Sequence, residues 1–238
     1  MIKQETVYEM RLVSALEKVF LDERPVYRPE CMKLTALKGE TVSFQAACTC
    51  TSFMKNRVKV RIESPISDRI HVRKVENVPA GRVCGPIVDD NYLKTESGLY
   101  PDLLRELVDG EVDIFPQKWR SIWIDIEVTE DVKAGLYPVT VILEKDGETL
   151  ARAATEVTIY DAVLPKQKMM HTEWFYLDCL ADYYHVPVFS EEHWEIITNY
   201  LKEYVKRGCN MILTPLFTPA LDTAVGIERT TTQLLDVR

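Results

Sequence analysis

Two spacings of apolar residues divide the chain. Over residues 6–160 apolar and polar positions alternate with a period of two, and beyond Pro165 the spacing becomes helical. In the first stretch Val42, Phe44, Ala46 and Cys48 alternate with Ser43, Gln45, Ala47 and Thr49. Residues 32–37 and 41–50 flank Lys38-Gly39-Glu40, and the pattern predicts one hairpin. The alternation returns over 57–63 (Val58, Val60 and Ile62 inward) and over 69–78 (Ile70, Val72 and Val75). It is strongest over 119–128, where Ile122, Ile124, Ile126 and Val128 share one face and Trp123, Asp125 and Glu127 the other. Strands over 136–144 and 149–160 are joined by Asp146-Gly147, a pair suited to the tightest hairpin turn. Between about 79 and 117 the alternation lapses, with Pro79, Gly81, Gly85, Pro86, Pro101 and Pro116 as punctuation. That stretch reads as a long loop, with a short helix over 102–108 started by Pro101. Strands with one polar face predict an antiparallel β-sandwich. Trp123 is the odd residue on that polar face, placed to pack on the loop or the next domain, or to stack on a sugar.

After the hinge at Pro165 the chain reads as strand (169–175), long loop, helix, strand (210–213). Ser190 is placed to cap the helix, with Glu191, Glu192 and Glu195 near its positive end. Lys202, Lys206 and Arg207 lie near its negative end, and Gly208 supplies the stop. Trp194, Ile197, Leu201, Tyr204 and Val205 form one apolar stripe that has to cover a sheet. Strand, helix, strand is the βαβ unit of a parallel sheet. The domains implied are a β-sandwich over 1–165 and the opening of a (β/α)8 barrel over 166–238. Only 73 residues follow Pro165, against roughly 250 for a complete barrel. The expected fold is therefore mainly β: an antiparallel β-sandwich followed by the first βαβ unit of an incomplete (β/α)8 barrel.

In such units chemistry gathers beyond the C-terminal ends of the strands. Those ends carry Glu173, Trp174, Asp178 and Asp182 after the first strand, and Thr214, Phe217, Thr218 and Asp222 after the second. Carboxylates beside aromatic rings suit a polar ring with an apolar face, such as a sugar. Glu173, Asp178, Asp182 and Asp222 are the candidate substrate-binding residues. Each has a plainer reading: an ion pair inside the barrel for Glu173, and local turn caps for the three aspartates in their loops. Glu173 and Trp174 point to opposite faces, so one of them looks into the barrel. His171 reads as a structural hydrogen-bonding residue.

A formal net charge of -8 and the lack of any dense Lys/Arg block argue against nucleic acid or an anionic membrane as partner. No apolar run reaches the ~18 residues of a membrane span. MIKQETVYEM has neither the basic start nor the apolar core of a signal peptide, so a cytoplasmic protein is expected. The six cysteines contain no C-x-x-C, and Cys48 and Cys50 share one strand face, where adjacent same-face positions bridge poorly. Reduced, mostly buried thiols are expected, with no zinc site and no cofactor.

The run TEWFYLDCLADYY, followed by FSEEHW, GCNMILTPLFTPALDT and ERTTTQLLDV, resembles the start of the barrel in proteins of glycoside hydrolase family 123. Upstream, GETVSFQAA, LYPDLL and WRSIWIDIEVTEDVKAGLYPVTV resemble the β-sandwich that precedes that barrel. The resemblance implies a carbohydrate substrate and hydrolysis of a terminal N-acetylhexosamine assisted by the substrate's own acetamido group, an exception to the usual two-carboxylate scheme. It also implies a catalytic consecutive Asp-Glu on a later barrel strand. The only Asp-Glu step here is Asp22-Glu23, in the sandwich, so no catalytic residue is assigned. The chain is thus expected to be the N-terminal portion of a glycoside hydrolase, inactive by itself, with the remainder of its own barrel as partner. The alternative is a carbohydrate- or protein-binding β-sandwich module without catalysis.

Overall fold

The computed structural model describes residues 6–81 and 92–214. The chain divides into two compact units, Met1–Leu164 and Pro165–Arg238. The first holds ten strands: β1 (Tyr8–Ser14), β2 (Lys33–Lys38), β3 (Thr41–Cys50), β4 (Asn56–Glu63), β5 (Ile70–Ala80), β6 (Gly98–Glu106), β7 (Glu111–Ile114), β8 (Arg120–Glu127), β9 (Gly135–Lys145) and β10 (Glu148–Val163). They form two five-stranded sheets, ordered β1-β3-β8-β5-β6 and β2-β10-β9-β4-β7. The inner residues of both sheets close one core. Phe44, Ile122, Ile124 and Ile126 come from the first sheet, and Val58, Val139, Val141, Leu143, Val157 and Ile159 from the second. The period of two thus becomes a layer: each strand sends alternate side chains into the space between the sheets.

At Asp146-Gly147 both residues have positive φ (52° and 84°), and Lys145 pairs with Glu148 across the turn. That is the two-residue turn whose twist matches the flanking strands.

Three expectations are corrected. The segments over 32–37 and 41–50 are not a hairpin. β2 joins β10 in one sheet while β3 joins β1 and β8 in the other. Gly39, at φ 90°, turns the chain from one sheet to the other, and its N–H donates to the Val128 carbonyl at 2.6 Å. Alternation specifies which face of a strand is buried and says nothing about its neighbour. The sandwich is also not wholly antiparallel, because β2 and β10 run parallel. Finally, the region read as a loop with a short helix contains β6 and β7. β6 pairs with β5 at the sheet edge, which is where Pro101 is tolerated inside a strand.

The other face of the first sheet is polar yet partly covered. Ser121 and Asp125 of β8 and Gln45 of β3 are buried there. The chain after β1 folds across them, with Gln45 Nε2 donating to the carbonyls of Ser14 (3.0 Å) and Glu17 (2.8 Å). Ser121 Oγ donates to Gln45 Oε1 at 2.6 Å. Asp125 accepts from Ser43 Oγ at 2.5 Å, from Trp123 Nε1 at 2.7 Å and from Arg73. Val13, Val19, Ala47 and Trp119 form a small apolar cluster of their own.

A second polar contact lies at one end of β8, where the buried Arg120 pairs with Glu76. Burial pushes the Glu76 carboxyl up, but the hydrogen bond from Lys74 and the charge of Arg120 outweigh it and hold the group below its usual 4.5. Burial pushes the Cys48 thiol up to about 12. Cys48 therefore stays protonated at neutral pH and acts as a core side chain.

Two measurements test this account. Phe44→Ala, which empties the middle of the core, is expected to cost about 3–5 kcal/mol in urea unfolding. For Glu76 the folded-state value is lowered, so its contribution is complete above pH 4.5 and is lost as the pH falls through the lowered value. Glu76→Gln is expected to be less stable than the parent at pH 7, with the gap closing in strong acid. A gap that does not change with pH in unfolding titrations would contradict the pairing.

Candidate functional site

The second unit holds β11 (Thr172–Trp174), α1 (Leu177–Tyr184), α2 (Glu191–Lys206) and β12 (Met211–Leu213). β11 and β12 pair in parallel, Thr172 with Met211, Glu173 with Ile212 and Trp174 with Leu213. The Phe175 N–H extends the ladder to the Leu213 carbonyl at 2.9 Å. The strand, helix, strand order read from the sequence is present, with both strands shorter than predicted.

α2 starts and stops at the expected residues. Ser190 Oγ accepts the His193 N–H at 3.2 Å, and Gly208 follows the helix at φ 90°. Its buried face differs from the predicted stripe. Ile197 is 2% exposed and His193 fully buried, while Trp194 is 43% exposed and stacks on Phe189 at 5.7 Å. The reason is α1, which occupies the segment read as a loop. Leu177, Leu180 and Ala181 are spaced to bury one helical face, and Leu177 and Leu180 pack on Ile197. His185, at φ 57°, closes α1 with its N–H on the Asp182 carbonyl.

His193 is the residue that sequence reasoning missed. Its Nδ1 accepts the Phe189 N–H at 2.9 Å, which leaves Nε2 to carry the proton and donate to the Leu177 carbonyl at 2.9 Å. It thereby ties the start of α1 to the start of α2. The available signal was its position three residues after the Ser190 cap, which aims it back over the first turn.

Tyr204 of α2 clips the two strands. Its hydroxyl accepts the Glu173 N–H at 2.5 Å and lies 2.9 Å from the Met211 carbonyl. Phe175 packs against Tyr204 with ring centres 6.1 Å apart. By strand alternation Glu173 shares the face of Phe175, and Trp174 shares that of Tyr176. Trp174 and Tyr176 stack with centres 5.9 Å apart and planes 8° from parallel, and Trp174 is 61% exposed. The strand pair therefore offers α2 one face and carries a flat aromatic pair on the other.

The candidate carboxylates separate accordingly. Glu173 is exposed, with Oε1 3.3 Å from His171 Nε2. His171 Nδ1 in turn lies 3.9 Å from the Sγ of the buried Cys209. Asp178 lies in the first turn of α1 and not in a loop, is 3% exposed, and accepts the Cys179 N–H at 3.0 Å. Asp182 is also on α1 and is exposed. Asp222 lies outside the described residues, as do Phe217 and Thr218. Among the described residues no cluster of three or more His, Cys, Asp or Glu could hold a metal ion, and no helix is long and apolar enough to cross a membrane.

Comparison with known proteins gives the class. The glycoside hydrolase 123 N-terminal domain model matches residues 20–145, more than half of the chain, and the glycoside hydrolase 123 catalytic domain model matches residues 174–238. The chain belongs to glycoside hydrolase family 123. A family 123 glycoside hydrolase from Clostridium perfringens, solved in a study of glycolipid glycan hydrolysis, is similar in fold, with a TM-score of 0.65 at 16% identity. That match covers 87% of this chain and 37% of the Clostridium enzyme, so the chain spans little more than a third of its length. The CARDB domain of PF1109 from Pyrococcus furiosus gives a TM-score of 0.33 at 6% identity, covering 66% of this chain and 98% of that one. A mutant β-glucosidase from Listeria innocua, in complex with laminaribiose, gives 0.31 at 10% identity, covering 68% and 17%. Likeness at these last two scores carries no weight here. No curated protein matches the chain.

The packing of α2 has a direct test. Ile197→Ala is expected to cost about 2–5 kcal/mol by thermal or urea unfolding of this unit, and Trp194→Ala distinctly less, because Ile197 is enclosed and Trp194 half open. The reverse order would mean that the helix presents its predicted stripe instead.

Proposed function

We propose that this chain is the N-terminal portion of a glycoside hydrolase that removes a terminal N-acetylhexosamine with help from the substrate's acetamido group. The reading is that residues 1–165 are a sandwich domain and residues 166–238 open a (β/α)8 barrel completed by further βα units. The observation that carries it is the order of the two family matches along one chain, N-terminal domain first and catalytic domain second, with a parallel β11–β12 pair bridged by α2 at the start of the latter.

Within this reading the stacked Trp174 and Tyr176 offer the apolar face that a pyranose ring needs. Glu173 and Asp182, both exposed, are the candidate carboxylates among the described residues. Glu173 lies on the strand face opposite the aromatic pair and does not share a ligand stacked on it, and Asp222 remains a candidate from the sequence alone. Asp178, enclosed in the first turn of α1, supports the same region by holding that turn and shaping its rim. None of these is given a catalytic role. Protonating the leaving oxygen and orienting the acetamido group require two carboxyls fixed at the anomeric centre, and a misplacement of about 1 Å already costs about a hundredfold.

The test is hydrolysis of aryl N-acetyl-β-galactosaminide and N-acetyl-β-glucosaminide. The 238-residue chain alone is expected to release no aryl group. A protein in which the chain continues into further βα units with a consecutive Asp-Glu is expected to do so, and to leave aryl hexosides without the acetamido group uncut. Turnover by the chain alone, abolished by Glu173→Gln, would overturn the assignment of catalysis to later strands.

A further inference from the structure

We propose that the sandwich carries a non-catalytic subsite for a single neutral pyranose, with Trp123 as its floor. This site lies wholly in the first unit and goes beyond the hydrolase reading. A cavity of about 210 Å³ opens on the polar face of the first sheet, with Trp123 of β8, Val75 of β5 and Pro101 and Leu104 of β6 in its lining. Glu17 and Asp102 stand at its edge. Pockets for drug-sized ligands run to roughly 300–1,000 Å³, so this one has room for one ring and not for a chain of them.

A pyranose has an apolar face of C–H groups and an equator of hydroxyls, and the cavity matches both. The Trp123 ring is the large aromatic surface on a sheet face that also carries Ser43, Gln45, Arg73, Ser121 and Asp125, with Val75 and Ala47 as its smaller apolar residues. Its electron-rich face attracts the weakly positive C–H hydrogens of a sugar. The ring is held in place before any ligand arrives, because its Nε1 donates to Asp125 Oδ1 at 2.7 Å. Asp125 is in turn fixed by Ser43 and Arg73. Little side-chain freedom is left to lose on binding.

The edge supplies acceptors. Among the described residues the carboxylates of Glu17 and Asp102 have no hydrogen-bond or ion-pair partner, while the nearby Lys18 is engaged with the Pro101 carbonyl at 3.3 Å. Gln45 is already spent on Ser121 and on the chain after β1. Two free acceptors over an apolar floor fit the hydroxyls of a neutral sugar. Two carboxylates against one lysine give the edge a net negative charge, which disfavours uronic acids and other anions.

The experiment is a ¹⁵N–¹H titration of the 238-residue chain, following the Trp123 indole N–H. The probes are methyl β-galactopyranoside, methyl α-glucopyranoside and methyl N-acetyl-β-glucosaminide, with sodium glucuronate as the anionic comparison. At least one neutral glycoside is expected to shift that signal with millimolar affinity, and glucuronate to bind about tenfold or more weakly. Glu17→Gln combined with Asp102→Asn, isosteric changes at a half-buried and an exposed position, is expected to weaken the neutral ligand about tenfold. It should also narrow the margin over glucuronate. Trp123→Ala, followed by the backbone amide signals of Val75 and Asp102 because the indole is gone, is expected to abolish the ligand-induced shifts while circular dichroism and melting stay those of a folded sandwich. Any one of three results overturns the proposal: no indole shift up to about 100 mM of the neutral glycosides, a shift that the double variant leaves unchanged, or glucuronate binding as well as the neutral sugars.

Discussion

The first unit depends on one constraint: every strand must bury its alternate apolar side chains between the same two sheets. Phe44 and Ile124 from one side, and Val141 and Leu143 from the other, meet in that space with no exposed surface. Burial at about 25 cal/mol per Å² favours this layer over any arrangement that leaves one strand turned over. The chain therefore tolerates unusual connections, including the crossing from β2 to β3 at Gly39, provided each strand arrives with the correct face inward. The tolerance extends to the opposite face of the first sheet, which is free to carry an interlocked set of polar groups around Asp125.

The periodicity made this much legible in advance. The strand positions over 41–50, 57–63 and 119–128, their inward residues and the Asp146-Gly147 turn all follow from alternation and turn chemistry. Strand partners did not follow, because Leu34 and Ala36 would face inward equally well in a hairpin with β3 or beside β10. β6 escaped notice for a related reason. An edge strand has only one neighbour to satisfy and tolerates Pro101, so its composition resembles a loop.

In the second unit the helix with clear caps was legible and the one without was not. Ser190 and Gly208 bracket α2 unmistakably, whereas α1 has no side-chain cap at Tyr176 and spans eight residues, three of them Leu or Ala on its buried side. Missing α1 misplaced Asp178 and Asp182 and shifted the buried face of α2 from Trp194 towards His193. Glu173 and Trp174 were correctly read as facing opposite ways, but which one faces away from the helix depends on where Phe175 packs, a tertiary fact. The candidate site was thus visible as a set of residues and not as a geometry.

The parallel pairing of β2 with β10 sets an order of events for the nascent chain. Leu34 must wait for Val157 before its strand has a neighbour, a separation of more than a hundred residues. During synthesis β2 leaves the ribosome early and stays unpaired until nearly the whole first unit has followed, exposing an apolar strand edge in the meantime. Closing so long a loop late makes the sandwich a slow folder relative to its size. The α1–α2 pair, built from contacts close in sequence, can form in a fraction of that time.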